Sequence, residues 1–107
     1  MSAEKIRALN DAFRTTMTGG KVLLTAGVNA LASDVKAMVI QRVMTFSDFN
    51  EENDPHQEHD FGNFPLRGKK FYFKVDYYDS NMEFGSEDPS DPSKTTRVLT
   101  IMLAEEY

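Results

Sequence analysis

Positions 53 to 62 read NDPHQEHDFG, and these ten residues hold two histidines, His56 and His59, beside three carboxylates, Asp54, Glu58 and Asp60. Imidazole and carboxylate together suit zinc, manganese or iron, and a divalent ion would relieve the repulsion among the acids. With no cysteine anywhere in the chain, a third ligand has to be a carboxylate or come from a second chain. On that reading His56, Glu58, His59 and Asp60 are candidate ligands of a metal-dependent hydrolase. Histidine side chains titrate near neutrality, so general acid/base work is open to the same stretch. The competing reading is a solvated loop in which a histidine or aspartate caps backbone donors at a turn, with neither metal nor cofactor.

Other candidate chemistry falls away on spacing. DFNEENDPHQEH, 48 to 59, starts like a calcium loop with Asp48, Asn50 and Glu52, but Asn53 stands where the turn glycine belongs and His59 where the bidentate glutamate belongs. DFG at 60 to 62 lacks a glycine-rich phosphate loop and its lysine, and GGK at 19 to 21 lacks phosphate-loop spacing. Gly62 is expected at a sharp turn where the loop meets a strand. No serine or threonine sits in a nucleophile-elbow pattern. Lys70, Tyr72, Lys74 and Tyr78 alternate on one strand face, a mixture that can stack on single-stranded nucleic acid or serve cross-strand packing.

Charge decides against the nucleic acid. The net charge is -5, and its distribution is uneven: residues 1 to 46 carry 6 basic and 3 acidic side chains, residues 47 to 107 carry 6 and 14. Twelve of the seventeen acids lie in two stretches, 47 to 60 and 76 to 92, that contain no lysine or arginine. Such flanks repel a phosphate backbone, whose attraction normally supplies most of the affinity. They suit a protein with a basic surface, because complementary potentials steer association. The candidate partner-binding residues are Asp48, Glu51, Glu52, Asp54, Glu58 and Asp60 in the first stretch. Asp79, Glu83, Glu87 and Asp88 are their counterparts in the second, with Tyr72, Tyr77 and Tyr78 as aromatic anchors. The alternative is that the acids only keep a small domain soluble.

These residues need elements to hold them. Ile6, Leu9, Phe13 and Met17 recur at helical spacing, which predicts a helix over 3 to 16 capped by Ser2 and stopped by Gly19 and Gly20. KVLLT, 21 to 25, reads as a short strand broken by Gly27. Ser33 caps a second helix over 34 to 46, with Asp34 in its first turn and Val35, Met38, Val39, Val43 and Phe46 as its apolar stripe. Residues 47 to 60 form a long loop. GKKFYFKVDYYD alternates with period two, placing Phe71, Phe73, Val75 and Tyr77 on one face. FGNFPL is its hairpin partner across Arg67 and Gly68, and Pro65 makes that partner an edge strand or an irregular one. TTRVLTIMLAEEY has apolar residues on both faces, as a central strand requires. The expectation is a single α+β domain over 1 to 107, with two helices packed on one face of an antiparallel sheet of about four strands.

At 107 residues the chain can bury one core without metal or disulfides, and no stretch approaches a membrane span, so a cytoplasmic protein with no membrane association is expected. Five stretches, IRALNDAFR (6 to 14), NDP (53 to 55), EHDFG (58 to 62), KVDYYD (74 to 79) and TTRVLTIMLAEEY (95 to 107), carry a resemblance to a family of small proteobacterial proteins defined as a domain of unknown function. The family is often borne on plasmids and integrating elements. That resemblance implies no catalytic residue, and it leaves position 56 open to residues other than histidine. It implies a setting instead: small acidic proteins of mobile elements are often inhibitors of host defence, of the anti-CRISPR or anti-restriction kind. The combined expectation is a non-catalytic binding protein for a CRISPR effector or restriction complex, in which acidic loops occupy a nucleic-acid-binding surface. The metal-dependent hydrolase is the alternative, and homo-dimer formation through a sheet edge is a third possibility.

Overall fold

The computed structural model describes residues 2–107. Helix α1 (Ala3–Thr16) begins as its sequence predicts, with the Ser2 hydroxyl accepting the Lys5 N–H at 3.3 Å. It ends one turn before the glycines, because Met17 itself adopts the left-handed conformation (φ 58°) and donates its N–H to the Phe13 carbonyl. Strand β1 (Lys21–Leu24) leads into a one-turn helix, α2 (Ala26–Asn29), that hydropathy does not announce. Gly27 lies inside α2 rather than breaking the chain. A Cβ there would stand 2.7 Å from the Leu103 side chain and 2.8 Å from the Glu106 carboxylate, so the glycine lets these side chains pack closely and makes no turn. Helix α3 (Ser33–Thr45) starts at Ser33, with Ala32 in the cap position and no side-chain cap. Asp34 instead accepts the N–H of Val35.

Strand β2 (Phe61–Leu66) and strand β3 (Lys69–Tyr78) form the expected hairpin, and Arg67 (φ 53°) and Gly68 (φ 78°) supply the two left-handed residues of its tight turn. Strand β4 (Thr96–Leu103) follows and ends in a 3-10 turn, Ala104–Glu106. The sheet order is β1-β4-β3-β2, so β4 is interior, and Pro65 sits on the outer strand, where its missing N–H breaks no ladder. The sheet is mixed, not antiparallel throughout: β1 runs parallel to β4, with Lys21 opposite Val98 and Leu24 opposite Ile101. Period-two patterning reports which side of a strand is buried and carries no direction, which is why the expectation failed there.

One core cluster joins Phe13, Val28, Val39 and Val43 from the helices to Phe64, Phe71, Phe73, Val75, Leu99, Ile101 and Leu103 from the strands. Phe71, Phe73 and Leu99 to Leu103 occupy alternate positions, as predicted, and Val98 and Met102 on the opposite parity of β4 are also buried. Gly62 marks no turn. It lies within β2 beneath the Phe73 and Phe46 rings, 2.5 Å and 2.7 Å from where its Cβ would be. Among the described residues three α-helices and a four-stranded mixed sheet make an α+β fold. No helix among the described residues is long and apolar enough to cross a membrane.

Candidate functional site

Helix α1 carries a polar stripe at helical spacing, Arg7, Asn10, Asp11 and Arg14, and each of the four grips chain outside the helix. Arg7 Nη1 donates to the Gln57 carbonyl at 3.0 Å, and Asn10 Nδ2 donates to the Glu58 carbonyl at 2.9 Å. Asp11 Oδ1 lies 2.8 Å from His59 Nδ1. Arg14 Nη1 donates to the carbonyls of Val43 (2.8 Å) and Phe46 (3.0 Å), where a cation meets the negative end of α3. The stripe therefore fastens the acidic 47–60 loop and the end of α3 to α1. Burial lowers the Arg14 pKa, opposed by its contact with Asp11, and the guanidinium packs against the faces of Phe49 and Phe73.

Asn10 is fully buried and joins the two acidic loops. Besides Glu58, its Nδ2 donates to the Tyr77 hydroxyl at 2.8 Å, and its Oδ1 accepts from Arg97 Nε at 2.7 Å. Arg97, also buried, continues to the Pro89 carbonyl in the second loop. Tyr77 donates to Glu58 Oε1 at 2.8 Å. Burial is the first cause of the strongly raised Tyr77 pKa; the Asn10 contact opposes it and the Glu58 contact reinforces it. Burial likewise lowers the Arg97 pKa.

The loop acids then divide. Asp54 is only 5% exposed, and its Oδ1 accepts the N–H groups of Glu58 and His59, both at 3.0 Å. It staples a segment in which Gln57 (φ 58°) and His59 (φ 56°) are both left-handed. Asp60 is half-buried, which raises its pKa, and nearby Glu58 and Asp54 add to the rise. In the second loop Asp79 accepts the N–H groups of Asn81 and Glu83. Asp88 takes both donors of Ser90, and Asp91 both donors of Ser93, which lowers the pKa of each acid. Asp48, Glu51, Glu52, Glu83 and Glu87 remain exposed, and among the described residues only Glu87 has a basic side chain in ion-pair range, Lys94 at 3.6 Å.

The two histidines part company. His59 stacks on Phe49 (3.8 Å between ring centres, 4° between planes) and holds Asp11, while His56 is exposed. Among the described residues no group of three or more His, Asp or Glu is placed to hold a metal ion. The tyrosines differ as well: Tyr77 belongs to the buried network, Tyr78 bridges to Gly85, and Tyr72 packs with Phe61 and Tyr107 at 5.2 Å and 5.3 Å. Lys74 pairs with Asp76 at 2.9 Å. Two exposed apolar side chains that charge reading overlooked, Met82 and Phe84, stand in the second acidic loop, Phe84 at 71% exposure. Asn10, Arg14 and Arg97 were also missed; the available signal was polar residues at core-facing spacing within apolar elements.

No curated protein and no solved structure is matched by the chain. A family model described as "Protein of unknown function (DUF3768)" matches residues 24–106, which includes both acidic loops and leaves α1 outside the matched stretch. The chain belongs to that family.

Proposed function

We propose that the chain is a non-catalytic docking protein whose two acidic loops occupy a basic, nucleic-acid-binding surface of a protein partner. The observation that carries this reading is that buried Asn10 and Arg97 link the two loops, through the Glu58 and Pro89 carbonyls, while Asp48, Glu51, Glu52, Glu83 and Glu87 stay exposed. Carboxylates on an anchored scaffold keep their spacing, so association costs little loop ordering. Exposed acids of one sign draw a basic partner from a distance. A CRISPR effector or a restriction complex has surfaces of that chemistry, and the mobile-element setting that the family resemblance implies would fit an inhibitor of such a complex. The metal-dependent hydrolase around His56 and His59 has less support, since His59 is committed to Asp11 and Phe49 and His56 stands apart.

The test starts from a partner captured by the tagged protein and identified by mass spectrometry, followed by calorimetry. Double-stranded DNA should compete for that partner, and the D48K/E51K/E52K variant should bind it at least about tenfold more weakly, a loss of roughly 1.4 kcal/mol. A partner indifferent to DNA, or unchanged affinity in a variant with native circular dichroism, would refute the proposal.

A further inference from the structure

A groove of about 420 Å³ lies between α3 and the end of β2, lined by Ala37, Met38, Gln41, Arg42 and Leu66. Apolar side chains and cations meet there. Met38 is 38% exposed and sits 3.7 Å from Arg67 Nη2 through its sulfur, while Arg42 packs over the Phe64 ring at 5.0 Å. Lys69 stands opposite Leu66 in the β2–β3 ladder. Among the described residues none of Arg42, Arg67 and Lys69 has a carboxylate in ion-pair range. Three unpaired cations beside apolar surface, in a chain of net charge -5, are complementary to an occupant both apolar and acidic. The chain carries such a segment itself. Residues 79 to 84, DSNMEF, hold Phe84 at 71% exposure and Met82 at 39%, with exposed Glu83 between them. Backbone contacts fix the segment: Asp79 donates its N–H to the Phe84 carbonyl at 2.7 Å, the Asp79 carboxylate accepts the Glu83 N–H at 3.0 Å, and Gly85 bridges Tyr78.

We propose that the groove receives the 79–84 turn of a second copy of this chain, with Phe84 and Met82 against Met38 and Leu66 and with Glu83 beside Arg42 and Arg67. A chain cannot fill its own groove, because the turn follows the Tyr78 end of β3 and the groove adjoins the Lys69 end, ten residues and roughly 30 Å away. The contact joins unlike surfaces, so two copies lying in opposite directions make it twice, and copies in one direction make a chain. Each turn and groove is small, which puts the association in the weak class. The pairing stands apart from the docking reading, since it covers the second acidic loop and leaves Asp48, Glu51 and Glu52 of the first exposed.

Analytical ultracentrifugation of the full chain tests it. The weight-average mass should rise above that of the monomer as concentration increases to about 1 mM, the range in which small interfaces associate. Phe84→Ser removes the apolar tip of the turn, and Ala37→Glu places a carboxylate in the groove; both positions are exposed, and circular dichroism checks that each variant is folded. Each variant alone should remain monomeric. An equimolar mixture of the two should form a one-to-one pair, because Phe84→Ser keeps an intact groove and Ala37→Glu keeps an intact turn. Wild-type protein that stays monomeric to about 1 mM, a folded variant that associates as wild type does, or a mixture that stays monomeric would each overturn the pairing. None of these outcomes bears on the docking reading, which fails separately if D48K/E51K/E52K leaves partner affinity unchanged.

Discussion

Asn10 makes three hydrogen bonds, to a loop carbonyl, a phenol and a guanidinium, and through Arg97 it links the first acidic loop to the second. Replacing it with alanine leaves the buried Arg97 Nε and the part-buried Glu58 carbonyl without their partner. Asn10→Ala should therefore lower stability by about 2 to 4 kcal/mol, read as a shift of the urea midpoint at constant slope. A loss under about 0.5 kcal/mol would mean that the network is not the anchor described. Little of this is legible in sequence. An asparagine between Leu9 and Asp11 reads as solvent-facing, and only its spacing from Ile6 and Phe13 marks the inward side of α1. Which acids turn inward was equally hidden, because Asp54 is recruited by left-handed Gln57 and His59, and of these two only histidine is a residue type that favours that conformation.

At the scale of elements, periodicity made α1, α3, the β2–β3 hairpin and β4 readable, since each records burial in the order of its side chains. The Arg67–Gly68 turn and the outer position of Pro65 followed from backbone chemistry. What escaped was held by contacts distant in sequence: the direction of β1, and the helical turn α2 that sits against the end of the chain. That second contact runs through Glu106, whose carboxylate accepts from the Thr25 hydroxyl (2.6 Å), the Leu103 N–H (2.8 Å) and the Gly27 N–H (2.9 Å). The Thr25 and Leu103 contacts, in that order, hold the Glu106 pKa below the ordinary carboxylate range. A depressed folded-state pKa contributes stability above the unfolded value, and this is lost as pH falls through the folded one. Amide exchange at Gly27 should thus accelerate, relative to β3 amides, as pH falls below the ordinary carboxylate range, and Glu106→Gln should flatten that dependence. Parallel acceleration in both proteins would rule out the clasp.

The whole molecule inherits its charge pattern from two connections and its shape from one strand. Composition announced the first plainly: the acid-rich stretches are loops, and the exposed carboxylates among them lie where the sequence placed them. Composition did not announce that the two loops would be joined through buried Asn10 and Arg97, which makes their geometry a property of the fold and not of each loop. The second point concerns β4, placed between β1 and β3 though it comes last in the chain. Until it arrives, β1 has no strand beside it and the β2–β3 hairpin stands alone. A cut engineered in the 80–94 connection should accordingly give a split protein. The longer piece alone should be disordered by circular dichroism, and a peptide of residues 94 to 107 should restore the native spectrum. Recovery of that spectrum would report, as a switchable complementation pair, that the hidden middle strand directs the assembly of everything around it.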